Sequence, residues 1–70
     1  MVYDSLSERE KQVLDYLTDG RSNDEIARLL FLSYGRISAL VNSLYVKYGI
    51  YEQPLRVKLV LTRLKELGKL

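Results

Sequence analysis

Residues 20–33 read GRSNDEIARLLFLS and contain closely spaced start and stop signals of helices. Ser22 and Glu25 form a capping box, in which each side chain accepts a hydrogen bond from the other residue's backbone amide. Gly20 ends a preceding helix, and Ser33 caps a further helix only a few residues later. So short a connection suits a tight turn between two helices that cross at a steep angle. The stretch therefore predicts a helix-turn-helix unit.

The same signals mark one further helix on each side of this unit. Ser7 and Glu10 repeat the capping box, and Pro54 is typical of the first residue of a helix. No linker, repeat or low-complexity segment divides the chain, so residues 1–70 are predicted to form a single domain. The predicted fold class is an all-α, four-helix domain containing a helix-turn-helix, with helices at about 7–18, 22–30, 33–48 and 53–67.

The fourth predicted helix has two apolar sides. Helical periodicity places Val57, Leu61 and Leu64 on the core face. Leu55 and Leu59 then lie opposite, as an i, i+4 leucine pair that a small monomer would leave exposed. A two-fold partner covers such a pair, so the pattern predicts a homodimer through this helix. The predicted centre of the dimer interface is Leu55, Leu59 and Thr62.

The composition excludes several classes of function. The chain of 70 residues contains no cysteine and no histidine. Thiol chemistry, histidine acid–base catalysis and ordinary zinc sites are therefore excluded. A single core of this size also leaves little room for a substrate cleft. We expect no enzymatic activity, no metal and no cofactor.

Two further features concern the compartment and the partner. The N-terminus has no basic or apolar region of a secretory signal, and the apolar runs are far shorter than the ~20 residues that span a bilayer. We therefore expect a cytoplasmic protein that does not associate with a membrane. Residues 1–19 carry a net charge of −3 and residues 20–70 a net charge of +5. This polarity favours a polyanionic partner bound by the later part of the chain.

The motifs that define the chain, in order, are Leu6-Ser7-Glu8-Arg9-Glu10, Val13-Leu14, Gly20-Arg21-Ser22-Asn23-Asp24-Glu25-Ile26-Ala27, Leu30-Phe31-Leu32-Ser33, Val41 and Lys47-Tyr48-Gly49-Ile50. At these separations they resemble the LuxR-type DNA-binding domain of bacterial transcription regulators. The resemblance runs from residue 6 to about residue 61. It implies sequence-specific binding of double-stranded DNA, with the helix at 33–48 in the major groove and a dimer formed through the helix at 53–67.

The resemblance also implies the contacts. Base contacts are expected from Ser38, Ala39 and Asn42. Asn42 suits adenine, and the Ala39 methyl suits the thymine methyl. Tyr34 and Tyr45 are added because a phenol donates to phosphate. The full set of expected phosphate contacts is Asn23, Ser33, Tyr34, Arg36, Tyr45, Lys47 and the region of Gln53.

Some of these positions depart from the family pattern. The family usually has threonine where Arg36 stands, a lysine or arginine at Ser38, and often an arginine at Gln53. The chain therefore lacks two usual cationic contacts and gains one. Arg36 opposes the dipole of its own helix, which favours a phosphate partner. Lys47 has a structural alternative, because it complements the helix C-terminus and is placed to pair with Glu10.

The low charge of the third helix leaves an alternative of another class. The chain could be a protein-interaction module on a helix-turn-helix scaffold, which sequesters a related regulator. Its support is the uncharged outward face of that helix, including Val46. A promoter-binding domain of a sigma factor is a further alternative. RNA polymerase is a candidate partner, and the sequence is compatible with a freestanding regulator or with one domain of a larger one.

Overall fold

The computed structural model describes all 70 residues and contains only helices and their connections. A short 3-10 helix at Val2–Ser5 precedes four α-helices: α1 (Glu8–Thr18), α2 (Asn23–Leu30), α3 (Tyr34–Lys47) and α4 (Leu55–Glu66). The predicted all-α, four-helix class with a helix-turn-helix is confirmed. The 3-10 helix was not predicted, since four residues are too short to show a hydrophobic period.

Capping side chains define the starts of the first three helices. The Glu10 amide donates to Ser7 Oγ at 3.1 Å, while the Ser7 amide donates to the Glu10 carboxylate at 2.8 Å. The box at Ser22 has the same two hydrogen bonds, at 3.2 and 3.1 Å. Ser33 Oγ accepts from the Arg36 amide at 3.1 Å. Each predicted helix began one residue early because a capping residue keeps an extended backbone outside the helix.

The start of α4 differs more from the prediction. Pro54 has extended backbone angles (φ −83°, ψ 115°) and lies at the N-cap, so the first helical residue is Leu55. The exposed Gln53 side chain accepts a hydrogen bond from the Leu55 amide at 3.3 Å. The proline therefore marks the boundary correctly, but it stands outside the helix.

All four helices contribute to one apolar core, in which α3 packs against α1, α2 and α4. Leu6 enters it from the segment before α1. In α1, α2 and α3 the buried apolar residues recur at the helical period. The core consists of Leu6, Val13, Leu14, Leu17, Ile26, Ala27, Ile37, Val41, Leu44 and Leu59.

The predicted orientation of α4 is wrong. Leu59 is fully buried, whereas Val57 and Leu61, assigned to the core from their spacing, are 52% and 41% exposed. The buried partner of Leu59 on this face is the charged Arg63. Its guanidinium carbon lies 3.5 Å from the centroid of the Tyr3 ring. Apolar periodicity does not identify a buried arginine as a core residue. The prediction therefore placed the core face on the opposite side of α4.

The Arg63 side chain is held from a second direction. Glu66 lies 3.3 Å from its Nη1, and the Tyr48 hydroxyl donates to the same Glu66 oxygen at 2.7 Å. These contacts join α4 to the end of α3, while Tyr3 joins it to the start of the chain. Because Leu59 lies inside this arrangement, it cannot form the centre of a dimer interface.

The axes of α2 and α3 differ in direction by 112°, within the range of helix-turn-helix units. Phe31 ends α2 with left-handed backbone angles (φ 57°, ψ 41°), and Ser33 caps α3 two residues later. No single helix is long and apolar enough to cross a membrane; α2 and α3 pass on length and composition only when taken together across this bend.

Candidate nucleic-acid interface

The outward side of α3 projects into solvent, opposite the residues that it buries. At 100° per residue, four exposed positions fall within about 60° of one another on this side. We call them the α3 ridge: Gly35, Ala39, Asn42 and Val46. The ridge contains no charged residue and one amide, so it is both small and electrically neutral.

Two serines of α3 lie beside the ridge rather than on it. Ser38 is half-buried at its edge. Ser43 Oγ donates to Glu10 Oε2 at 2.6 Å and is thereby tied to α1. Among the predicted base contacts, Ala39 and Asn42 are therefore on the α3 ridge, while Ser38 flanks it.

Arg36 lies in the first turn of α3, about 60° beyond the edge of the ridge. Its side chain is exposed and its guanidinium forms no ion pair within the domain. The first turns of α1 and α2 each contain two acidic residues, whereas that of α3 contains none. The positive end of the α3 dipole and the Arg36 guanidinium therefore act together on an approaching anion.

Lys47 is paired with Glu10, as its structural alternative predicted, although its side chain remains 41% exposed. Its Nζ lies 2.8 Å from Glu10 Oε1, and the Glu10 carboxylate is only 4% exposed. Burial by itself raises the pKa of Glu10. Hydrogen bonds from Lys47, Ser43 and Ser7 outweigh burial and lower that pKa from 4.5 to about 2. The carboxylate therefore joins α1 to the C-terminal half of α3.

The Asn23 side chain is oriented by an arginine from α4. Arg56 Nη1 donates to Asn23 Oδ1 at 2.8 Å, and Arg56 Nη2 donates to the Arg21 carbonyl at 2.6 Å. With its oxygen occupied, the Asn23 amide group keeps its N–H donors for an external acceptor. The sequence did not reveal this role of Arg56, because the two residues are 33 positions apart.

The other predicted phosphate contacts differ in access. Ser33 and Tyr34 are exposed at the N-terminus of α3, beside Arg36. Tyr45 is half-buried against the core, and burial raises its pKa, so the phenol remains a neutral donor at pH 7. Ser33, Tyr34 and Arg36 thus form one accessible group at a single helix end. Tyr45 and Lys47 are more restricted.

The second helix of this helix-turn-helix presents a small exposed ridge, and an unpaired arginine lies at its N-terminal end. These features are typical of helix-turn-helix DNA-binding domains. Residues 4–60 match the family model of the GerE domain, described as bacterial regulatory proteins of the luxR family. The chain belongs to this luxR family of DNA-binding transcription regulators. The match covers α1 to α3 and the first half of α4. No curated protein and no solved structure matches the chain.

Proposed function

We propose that this protein binds double-stranded DNA sequence-specifically as a cytoplasmic transcription regulator, with α3 in the major groove. The observation that carries the proposal is the exposed, acid-free α3 ridge on a helix-turn-helix. An α-helix with its side chains is about 10–12 Å across and the major groove is about 12 Å wide, so small outward residues favour deep insertion.

The proposed contacts divide by position. Ala39 and Asn42 face base edges, and Ser38 contacts them from the edge of the ridge. Arg36 supplies the principal charge to the phosphates beside the N-terminus of α3. The further phosphate contacts in this proposal are Asn23, Ser33, Tyr34, Tyr45 and Lys47.

Binding to a random-sequence duplex, measured by fluorescence anisotropy across a salt series, tests the proposal. We expect log K to fall linearly with log[salt] at a slope of about −3 to −6, because each neutralised phosphate contributes roughly −0.9. An Arg36→Ala variant should lower the magnitude of the slope by about one. Absence of binding at low salt by the folded protein would contradict the proposal.

A second candidate function is a protein-interaction module that sequesters a related regulator or contacts RNA polymerase. It is favoured by apolar exposure around the helix-turn-helix, where Val46 is 62% and Phe31 94% exposed. Arg36→Ala combined with Asn42→Ala separates the two candidates. Loss of DNA binding by the double variant supports the first function. The second is supported if the unsubstituted, folded protein binds a protein partner and never binds DNA.

We also propose a homodimer through α4, on the face that the structure leaves exposed. Val57 and Leu61 lie there, and a groove between α4 and the end of α1 continues this apolar surface around Leu17 and Val60. Leu55 and Thr62 are half-buried, and the Thr62 hydroxyl donates to the Lys58 carbonyl. A two-fold dimer would address half-sites about one helical turn apart.

Leu61→Arg is expected to weaken the dimer by at least about tenfold, because it places a charge in an apolar seam. Sedimentation equilibrium across a concentration series measures the effect. Leu29→Arg is the matched control, since Leu29 is similarly exposed (45%) but lies on α2. Equal dissociation constants for the Leu61→Arg variant and the unsubstituted protein would exclude this interface.

A further inference from the structure

We propose that the α3 ridge reads A·T base pairs in the operator half-site, with Asn42 on adenine and the Ala39 and Val46 side chains on thymine methyl groups. The inference rests on the proposed function and names the DNA chemistry that the same site selects. Three observations support the proposal. They are the side chains that the ridge contains, the absence of lysine and arginine from it, and the presence of Gly35, which the fold does not require.

Asn42 is the one ridge residue with hydrogen-bonding groups. A side-chain amide pairs bidentately with adenine, donating to N7 while accepting from the N6 amine. Asn42 has no hydrogen bond within the domain that would compete with a base edge. Asn42 lies between Ala39 and Val46 on the ridge. The base pairs on either side of an adenine opposite Asn42 would therefore face aliphatic side chains.

Ala39 and Val46 offer only methyl groups. Val46 is 62% exposed, although a valine at a solvent-facing helix position gains nothing from packing. Within the major groove, the thymine C5-methyl is the one apolar group that a base pair presents. A ridge with aliphatic side chains on both sides of an asparagine therefore complements thymines beside an adenine.

The ridge has no residue that reads guanine. Bidentate contact with guanine is typical of arginine or lysine. Arg36 lies off the ridge beside the capped end of α3, and Lys47 is paired with Glu10. Neither cation therefore belongs to the ridge.

Gly35 is the independent observation. A Cβ at this position would meet no other atom of the protein, and the backbone angle φ is not in the left-handed region. The fold therefore gives no reason for a residue that weakens a helix relative to alanine. An absent side chain at the outermost line of α3 does allow the backbone to approach a groove closely.

The test begins with selection of duplexes from a random pool by the full chain. We expect enriched half-sites whose contacted positions are A·T. Replacing the contacted thymines by deoxyuridine removes the methyl groups alone and should weaken binding about 3- to 10-fold. Asn42→Ala should lower discrimination at the adenine by about 10- to 100-fold, whereas Arg36→Ala should weaken all sequences alike.

Inosine·C pairs distinguish groove readout from DNA shape. Such a pair resembles A·T in the minor groove and G·C in the major groove. Substitution of inosine·C for the contacted A·T pairs should therefore abolish the preference. Retained binding, together with no effect of deoxyuridine, would overturn the proposal in favour of shape recognition.

Gly35→Ala tests the close approach without disturbing the fold. The variant should have a Tm higher by about 2–8 °C and bind the selected operator several-fold more weakly. Unchanged affinity would overturn the role given to Gly35. Selection of G·C at the contacted positions, or salt-dependent binding with no selection, would overturn the A·T proposal while DNA binding stands. No binding to any duplex would overturn the proposed function itself.

Discussion

Replacing Glu10 with alanine is expected to destabilise the domain by about 2–4 kcal/mol and to lower its Tm by roughly 10–25 °C. The carboxylate is buried and accepts from Ser43 Oγ, Lys47 Nζ and the Ser7 amide. Its removal leaves the Ser43 hydroxyl and the Ser7 amide without partners and removes the polar link between α1 and α3. Urea unfolding followed by circular dichroism measures the change.

Glu8→Ala is the matched control. Glu8 stands in the same first turn of α1, but its side chain is 91% exposed and its distance to Lys11 is 3.7 Å. An exposed pair of this kind is worth about 0–1 kcal/mol. If both variants lost the same small amount of stability, the Glu10 carboxylate would have no special role in joining the two helices.

The same carboxylate gives a pH dependence with a definite sign. The pKa of Glu10 is lowered in the folded state, from 4.5 to about 2. Its contribution is therefore fully present above about pH 5. It is lost as the pH falls from 4.5 towards 2, because the unfolded state takes up the proton first. With solvent reaching the Lys47 side of the pair, we expect a loss of about 2 kcal/mol over this window.

The Glu10→Gln variant should lack this component of the acid sensitivity. A smaller component remains from Glu25, whose pKa is lowered by the Ser22 amide and by Arg21 on the exposed surface. Unfolding measured at pH 7 and at pH 3 provides the comparison. A variant whose stability falls as steeply as that of the unsubstituted protein would show that Glu10 is not the titrating group.

Ala39→Glu is expected to reduce DNA affinity by about 100-fold or more. The substitution places a carboxylate at the outermost line of α3, where it would face the polyanionic groove. Glutamate is a good helix former and Ala39 is exposed, so the fold should be retained. Anisotropy titration of the selected operator measures the affinity, and circular dichroism verifies the helices.

Two controls separate the effect of a carboxylate at position 39 from the effects of side-chain size and of the protein's net charge. Ala39→Gln adds similar volume without a negative charge, and it should lose much less affinity than Ala39→Glu. Gln12→Glu adds the same charge on the exposed surface of α1 and should change affinity only slightly. Equal losses from Gln12→Glu and Ala39→Glu would mean that net charge, rather than groove insertion, governs binding.

The positions of the helices and the class of protein could be predicted from the sequence because their signals are local. A capping box joins residues three positions apart, so Ser7 with Glu10 and Ser22 with Glu25 specify helix starts before any tertiary contact forms. The outward line of α3 also follows from its own period. Ala39 and Asn42 could therefore be assigned to the exposed side of α3, opposite its apolar residues.

The side of α4 that faces the core, and the polar groups that are already paired, depend on contacts between residues far apart in the chain. Arg63 lies in the core with the ring of Tyr3, 60 positions earlier, stacked on its guanidinium, and Leu59 is buried on the same face of α4. Ser43 and Lys47 were drawn to Glu10 from more than 30 positions away, and Arg56 was drawn to Asn23. Such pairings depend on how the helices pack against one another, a property that the periodicity of a single helix does not contain.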